Sequence, residues 1–278
     1  MRYILFTSDR LGYSLSEPHN DSSEESPKPR PESLTPRLKR RRFAPLKVAN
    51  QIPKRRRREI EKALEDSTGT PKKWSRQSGP KNHNFMRKRI SPGSIRRVEF
   101  DLLSVDIGES WPTPVTVIHG SRPGPVVTLL GAVHGNELVG PLALTYLTGP
   151  NFVGPGKPID PEVMAGTLRI VPVVNMPGYR RQSRYMPDGR DLNRAFPGKP
   201  ESNTTFRVAH RIWDEVVSGS DYIIDLHTAA FGRTNMPQIR ANLAHASSNK
   251  IARSFGIEAI LDNVGPKGSL RRLTNDSD

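Results

Sequence analysis

Short apolar runs separated by turn-forming residues mark the chain from residue 98 onward. Several of these runs are continuously apolar, which is typical of strands buried on both faces of a sheet. Polar and Pro-rich stretches between the first runs predict turns at 110–112 and 121–125. The predicted strands are 98–107, 114–118, 126–131, 167–174 and 222–226, with a further short apolar run at 259–261.

Helical spacing of apolar residues appears between the predicted strands. It predicts helices over 138–147, 204–217 and 244–255. Buried strands that alternate with helices indicate an α/β fold in which helices cover both faces of one sheet. Sheets of this kind bind ligands beyond the carboxyl ends of their strands.

The first ninety residues have a different character. Residues 20–36 are rich in Ser, Pro and Glu, and such segments bury too little apolar surface to offset chain entropy. Two basic clusters follow at 39–42 and 54–58, and a short helix is predicted over 53–65. We therefore predict a disordered basic extension over 1–90, followed by a globular domain over 91–278.

The net charge of +15 lies entirely in the first third of the chain. Residues 1–97 hold 25 Lys and Arg against 10 Asp and Glu, whereas residues 98–278 hold 18 of each. The basic clusters are compatible with a phosphate-binding or nuclear-targeting arm. However, few aromatic residues are available there to stack on bases, so we favour a solvated tail and expect no nucleic-acid partner, although the tail allows one.

Composition excludes several classes of site and partner. The chain has no cysteine, so disulfides and thiolate metal sites are ruled out. No apolar run reaches the roughly 18 residues of a membrane span, and the N-terminal apolar patch is too short for a secretory signal. We expect a soluble, cytoplasmic protein without a membrane partner. The sequence does not indicate the oligomeric state.

Two predicted strands run directly into a histidine. His134 and Glu137, which are three residues apart, follow the run 126–131, and His227 follows the run 222–226. A catalytic zinc commonly takes three protein ligands and leaves a fourth position open. A single histidine is more often a surface or core residue, but the two strand ends and the H-x-x-E spacing together favour a metal site.

Neighbouring residues fit the same interpretation. Gly131 and Gly135 give the turn that carries His134 the backbone freedom it needs. Asp225 shares a strand face with His227, because side chains alternate along a strand. We expect Asp225 to orient a ligand histidine.

A segment rich in arginine lies between the two histidines. Within the loop-prone stretch 183–198 are four candidate substrate-binding residues: Arg184, Arg190, Asn193 and Arg194. Arginine forks bind carboxylates in bidentate fashion, and one cation can stabilise a developing oxyanion. The same residues are equally compatible with a surface ion-pair loop around Asp188 and Asp191.

Taken together, these motifs resemble one known enzyme family. The residues at 134–137, the run at 190–194 followed by 196–198, and the residues at 225–228 look like those of the succinylglutamate desuccinylase/aspartoacylase family. The resemblance covers residues 91–278. It implies a zinc carboxypeptidase-like fold with a mixed sheet, and hydrolysis of the linear amide of a small acidic N-acyl substrate.

The resemblance also implies roles for individual residues. It implies one Zn²⁺ per chain with three ligands: His134, Glu137 and His227. It implies that Asn193 and Arg194 hold a substrate carboxylate, that Arg184 polarises the scissile carbonyl, and that Arg190 belongs to the same pocket. The segment 236–243 is similar to a less characterised branch of the family, so the acyl group stays open.

One feature of the family is missing from the sequence. Such enzymes use a glutamate downstream of the second histidine as general base, and no matching glutamate follows His227. Glu258 lies in an apolar run, and we do not expect it to substitute. We therefore expect a fold that is incomplete at the C-terminus, with turnover reduced by about 10²–10⁴-fold.

This expectation leaves two alternatives to a deacylase. The first is a catalytically inactive protein of the same fold that keeps the metal and the carboxylate clamp. The second is a zinc carboxypeptidase that acts on peptides.

Overall fold

The computed structural model describes residues 2–7, 58, 81–104, 110–148, 159–229 and 232–276. The strands are β1 (Arg2–Thr7), β2 (His83–Phe85), β3 (Lys88–Ile90), β4 (Ser94–Ser104), β5 (Ser110–His119), β6 (Arg122–Gly131), β7 (Ala165–Val171), β8 (Tyr222–His227), β9 (Gln238–Ala241) and β10 (Ile260–Asp262). The α-helices are α1 (Val139–Thr148), α2 (Met176–Arg180), α3 (Thr204–Arg211), α4 (Ala246–Ser254) and α5 (Leu270–Asp276). A 3₁₀ turn covers Leu192–Arg194, and α3 continues as a π-helical segment, Ile212–Val217.

Eight strands form one mixed sheet in the order β10-β9-β1-β8-β6-β7-β5-β4. Neighbouring strands in the series β7-β6-β8-β1 run parallel, and so do β9 and β10. The pairs β4–β5, β5–β7 and β1–β9 are antiparallel. This architecture confirms the predicted α/β fold with a mixed sheet. Because β6 and β8 are adjacent and parallel, their carboxyl ends lie side by side.

Helices pack on both faces of the sheet. Along β6, Leu130 belongs to a large apolar cluster that includes residues of α3 and α5, whereas its neighbour Leu129 packs against a second cluster that includes Leu144 of α1. Successive side chains of a strand point to opposite faces, so the two clusters cover opposite sides of the sheet. A third cluster joins α4 to β9.

The two turns predicted near the start of the domain are strands in the structure. Ser110 begins β5. Residues 122–125 of the predicted turn at 121–125 lie within β6, where the pairing with β7 shifts register between Arg122 and Val126. Pro112 is tolerated because it pairs with Asp101 of β4, whereas the register with β7 begins only at Thr116. A proline costs no ladder hydrogen bond where one side of its strand is unpaired.

Some regular structure lies within 1–90, the range predicted to be a disordered extension. Strand β1 belongs to the main sheet, and β2 and β3 form a hairpin whose Phe85 and Ile90 side chains are buried in the large cluster. Arg169 lies 4.7 Å from the centre of the Phe85 ring. The domain boundary at residue 91 stays a prediction, and the helix predicted over 53–65 lies outside the described residues apart from Arg58.

Among the helices of the described segments, none has the length and the apolar character that a bilayer crossing requires.

Candidate metal centre

Three predicted ligands meet at the carboxyl edge of the sheet. His227 is the last residue of β8, and His134 lies three residues beyond the end of β6. Glu137 follows in the same turn, where its N–H donates to the His134 carbonyl at 3.1 Å. All three side chains are buried, and one ligand atom from each lies within 4.8 Å of the others. Helix α1 begins only at Val139, so both His134 and Glu137 lie in the turn that precedes it.

Close packing, rather than special dihedrals, explains the glycines of this turn. A Cβ at Gly135 would lie 2.1 Å from the backbone carbon of Gly178, and one at Gly131 would lie 2.6 Å from the Pro172 oxygen. Neither glycine has a positive φ; the left-handed residue is Ala132, with φ of 46°. The predicted reason for the glycines is therefore wrong: they let two chain segments approach each other.

The candidate ligand atoms lie close enough together to share one ion. His134 Nδ1 lies 2.7 Å from Glu137 Oε1, and His227 Nδ1 lies 2.9 Å from Glu137 Oε2. The two Nδ1 atoms face each other at 3.2 Å. Bond lengths to zinc of about 2.0–2.2 Å place neighbouring tetrahedral ligands about 3.3–3.6 Å apart, so each pair would separate by less than about 1 Å to hold the ion. Two nitrogens and a carboxylate without any thiolate are a donor set that zinc accepts, so the residues present fit this ion.

A second carboxylate holds the far nitrogen of each ring. His227 Nε2 lies 2.7 Å from Asp225 Oδ2, and His134 Nε2 lies 3.2 Å from Asp191 Oδ1. A proton on each Nε2 would satisfy these carboxylates and leave both Nδ1 lone pairs facing the shared point. Asp225 was predicted to orient a histidine from its position on β8. Asp191 was assigned in the sequence only to a surface loop.

Ionised carboxylates surround the histidines of this cluster and favour a positive charge between them. Burial lowers the pKa of His227, but Asp225 and Glu137 outweigh burial and raise this pKa to about 10. Burial raises the pKa of Glu137, but hydrogen bonds from His134 and His227 prevail and lower it to about 2. Burial also raises the pKa of Asp191, and His134 with Arg184 hold it below its usual range.

Arg184 joins the cluster from the loop that follows α2. Its guanidinium donates to Asp191 Oδ2 at 2.9 Å and approaches Glu137 Oε1 at 3.5 Å, and its side chain is 28% exposed. These contacts place a fixed cation beside the three ligands, with part of its surface open to a bound molecule.

Asn193 and Arg194 lie in the 3₁₀ turn on the same side. Asp191 caps this turn, because its Oδ1 accepts from the Asn193 N–H at 2.8 Å. The Asn193 Oδ1 accepts from the Leu270 N–H at 3.1 Å and so ties the turn to α5. A Cβ at Gly268 would lie 2.2 Å from the Arg194 carbonyl oxygen, so only glycine allows this approach.

Arg190 does not join the other predicted clamp residues. It is 53% exposed and pairs with Asp188 at 3.4 Å. Asp188 in turn accepts from the Thr205 N–H at the start of α3. For Arg190 the structure matches the surface ion-pair interpretation, whereas Arg184, Asn193 and Arg194 face the candidate site.

The predicted ligand and clamp residues other than Arg190 line a cavity of about 200 Å³. Several lining residues were missed by sequence reasoning: Thr228, Asn235, Arg240, Pro266, Ser269 and Arg271. Of these, Arg240 was within reach of prediction, because it lies in the run 236–243 that already resembled the family. Arg271 was beyond reach, since only the packing of α5 brings it to the cavity. Among the described lining residues, Glu137 is the only one with a carboxylate.

Comparison with known proteins identifies similar sequences. The model of the succinylglutamate desuccinylase/aspartoacylase catalytic domain matches residues 123–276. An N-alpha-acetyl-L-2,4-diaminobutyric acid deacetylase from Halomonas elongata is 36% identical over 122 residues, which are 44% of this chain and 32% of that protein. The chain thus spans about a third of this relative's length.

One solved structure agrees at the level of the fold. An aspartoacylase family protein from Mesorhizobium loti matches with a TM-score of 0.55 and 23% identity, over 72% of this chain and 62% of that one. A succinylglutamate desuccinylase/aspartoacylase from Rhodobacter sphaeroides is 32% identical, with a TM-score of 0.42, over 49% of this chain and 40% of that one.

Proposed function

This chain belongs to the succinylglutamate desuccinylase/aspartoacylase family, and on that premise we propose that it is a zinc-dependent deacylase of small N-acyl amino acids. The observation that carries the proposal is the meeting of three buried ligand side chains with a fixed arginine at one edge of the sheet. The relative from Halomonas elongata, by its name a deacetylase of an acylated amino acid, supports the reaction class.

His134, Glu137 and His227 would hold the zinc ion. When bound in such a site, zinc polarises a carbonyl and lowers the pKa of water. Asp225 and Asp191 keep both imidazole rings oriented and fix their protons on Nε2. Glu137 is buried and contacts both rings, so its carboxylate has no freedom to turn away from the site.

The clamp residues act on the substrate directly. Arg184 supplies a cation where negative charge develops on the scissile carbonyl, and Asp191 fixes its orientation. Arg194 and the amide group of Asn193 would bind the substrate carboxylate, with Arg194 able to form a bidentate pair. We leave Arg190 out of the clamp because it pairs with Asp188 away from the cavity.

A second candidate function rests on a specific observation. Glu137 is the only carboxylate among the described cavity-lining residues, and it contacts both histidines. Glu258, the other glutamate considered, is exposed and does not line the cavity. A protein that binds zinc and N-acyl amino acids without turning them over is therefore the alternative.

One experiment separates the two functions. Purified protein loaded with Zn²⁺ is incubated with a panel of N-acetyl and N-succinyl amino acids, and release of the primary amine is measured beside calorimetric binding of the same compounds. Amine release that is lost in Arg184→Ala establishes the deacylase. Binding without release establishes the alternative. If the zinc-loaded chain showed no binding and no amine release, both functions would be contradicted.

A further inference from the structure

The first strand of the chain lies in the interior of the sheet. All six residues of β1 pair in parallel with β8, and its last four pair antiparallel with β9. Both neighbours come from residues 222–241, whereas β1 comes from residues 2–7. Residues 8–82 separate it along the chain from β2, the next described strand. A remote segment thus fills a central position between two late strands.

This strand joins two parts of the sheet that have no direct pairing. In the observed order, β1 is the only described strand between β8 and β9. Strands β8 and β9 are therefore two interstrand spacings apart, about 10 Å, which is too far for backbone hydrogen bonds. Without β1, the described sheet would separate into five strands ending at β8 and a β9–β10 ribbon. An isolated two-stranded ribbon is marginally stable in water.

Strand β1 pairs with residues of the candidate metal centre. Thr7 pairs with His227, and Leu5 pairs with both Asp225 and Arg240. On its other side, β8 pairs with β6 only as far as Leu226. Among the described strands, β1 is therefore the one that pairs with the ligand residue His227. It also connects β8 to Arg240, which lines the cavity from β9.

We propose that Arg2–Thr7 is a separable donor strand, and that the position between β8 and β9 is a binding site for this extended segment. The inference rests on the proposed metal site for its functional consequence, but the strand pairing itself does not. Central strands hold their neighbours by backbone hydrogen bonds, which a free peptide of the same sequence can supply. Covalent attachment through a flexible linker contributes an effective concentration of about 1 mM at most, so a free peptide at about that concentration can replace an attached strand.

The experiment uses the full chain with a change of one residue in β1. Leu5→Pro removes a backbone donor from the middle of the strand, and Leu5→Val is the matched control that keeps it. Two properties are measured: the Kd for Zn²⁺ by competition with a chelator, and hydrogen exchange of the β8 and β9 amides. Each measurement is repeated with a synthetic Met1–Thr7 peptide at about 1 mM and with a scrambled peptide.

The donor-strand account predicts a specific pattern. Leu5→Pro raises the Kd for Zn²⁺ by about tenfold or more, as loss of a ligand's supporting contacts does, and speeds exchange in β8 and β9. The Met1–Thr7 peptide reverses both effects, the scrambled peptide reverses neither, and Leu5→Val matches wild type. If Leu5→Pro is insoluble, refolding with the Met1–Thr7 peptide restores soluble protein.

Several outcomes would overturn the proposal. Unchanged zinc affinity and unchanged exchange in Leu5→Pro would show that β1 supports neither strand. A defect that the Met1–Thr7 peptide does not reverse, in solution or on refolding, would show that the strand is not separable. If wild-type protein binds no zinc, the proposed function fails, and the exchange measurement with the peptide alone still decides the donor strand.

Discussion

Residues that do not line the cavity set the geometry of the candidate site. Asp225 is fully buried beneath His227, and Asp191 contacts His134, Arg184 and the backbone of Asn193 at once. Such partners fix the orientation of ligand histidines and raise their basicity. The sequence predicted the three ligands because strand ends and spacing mark them. It did not predict Asp191, because the contacts of that residue depend on how the loop folds back.

The role of Asp225 is tested by Asp225→Asn. The asparagine cannot hold a proton on His227 Nε2 as a carboxylate does, so we expect the affinity for Zn²⁺ to fall by about 10–100-fold. Asp221→Asn is the matched control, because Asp221 binds the Val126 N–H at the opposite end of β8. Equal zinc affinity in Asp225→Asn and in the control would contradict the assignment.

The roles of Arg194 and Arg190 in substrate binding are distinguished by comparing their alanine variants. Arg194→Ala removes a charge-assisted hydrogen bond to the substrate carboxylate, so we expect KM, or Kd in a protein without turnover, to rise about tenfold or more. Arg190→Ala should stay within about twofold of wild type, because exposed ion pairs contribute little. A larger effect in Arg190→Ala than in Arg194→Ala would restore the original sequence-based assignment of Arg190 to the pocket.

At the scale of elements, the sequence predicted buried strands better than strand ends. The runs that became β6, β7 and β8 were found because they are apolar on both faces. Proline and glycine near Ser110 and Arg122 predicted turns, yet pairing with neighbouring strands extends β5 and β6 through them. The β2–β3 hairpin was missed because its contacts, such as Arg169 over Phe85, are remote in sequence.

His83 in that hairpin makes stability depend on pH. Burial lowers its pKa from 6.5 to about 4, with the Arg169 charge and His119 acting in the same direction. Arg169 Nε donates to His83 Nε2 at 3.4 Å, so protonation of the ring would oppose this contact. Because the unfolded state takes up the proton first, stability is full above pH 6.5 and falls between pH 6.5 and 4.

Substitution by glutamine isolates this effect. His83→Gln keeps an acceptor for Arg169 but does not titrate, so it should lose less thermal stability than wild type between pH 7 and 5. We expect the difference in the Tm shift to be about 2–4 °C, which corresponds to about 1 kcal/mol in a domain of this size. Parallel pH profiles of Tm for the two proteins would show that His83 is not protonated on unfolding.

At the scale of the whole molecule, one sheet collects segments from both ends of the described chain. The order β10-β9-β1-β8 places residues 2–7 between late strands, an arrangement that local patterns do not encode. Apolar runs specify which segments become strands, but their order depends on pairing between remote segments. Fold class was therefore predictable from the sequence, and the position of β1 was not. The candidate site lies where this sheet brings the ends of β6 and β8 together.

We propose above all that His134, Glu137 and His227 form one metal site. The most direct test is the metal content of the purified full chain after equilibration with Zn²⁺, for wild type beside His134→Ala and His227→Ala. The account predicts about one tightly bound zinc per wild-type chain and its loss in both variants. A folded wild-type protein that retains no zinc, or variants that retain it fully, would contradict the account.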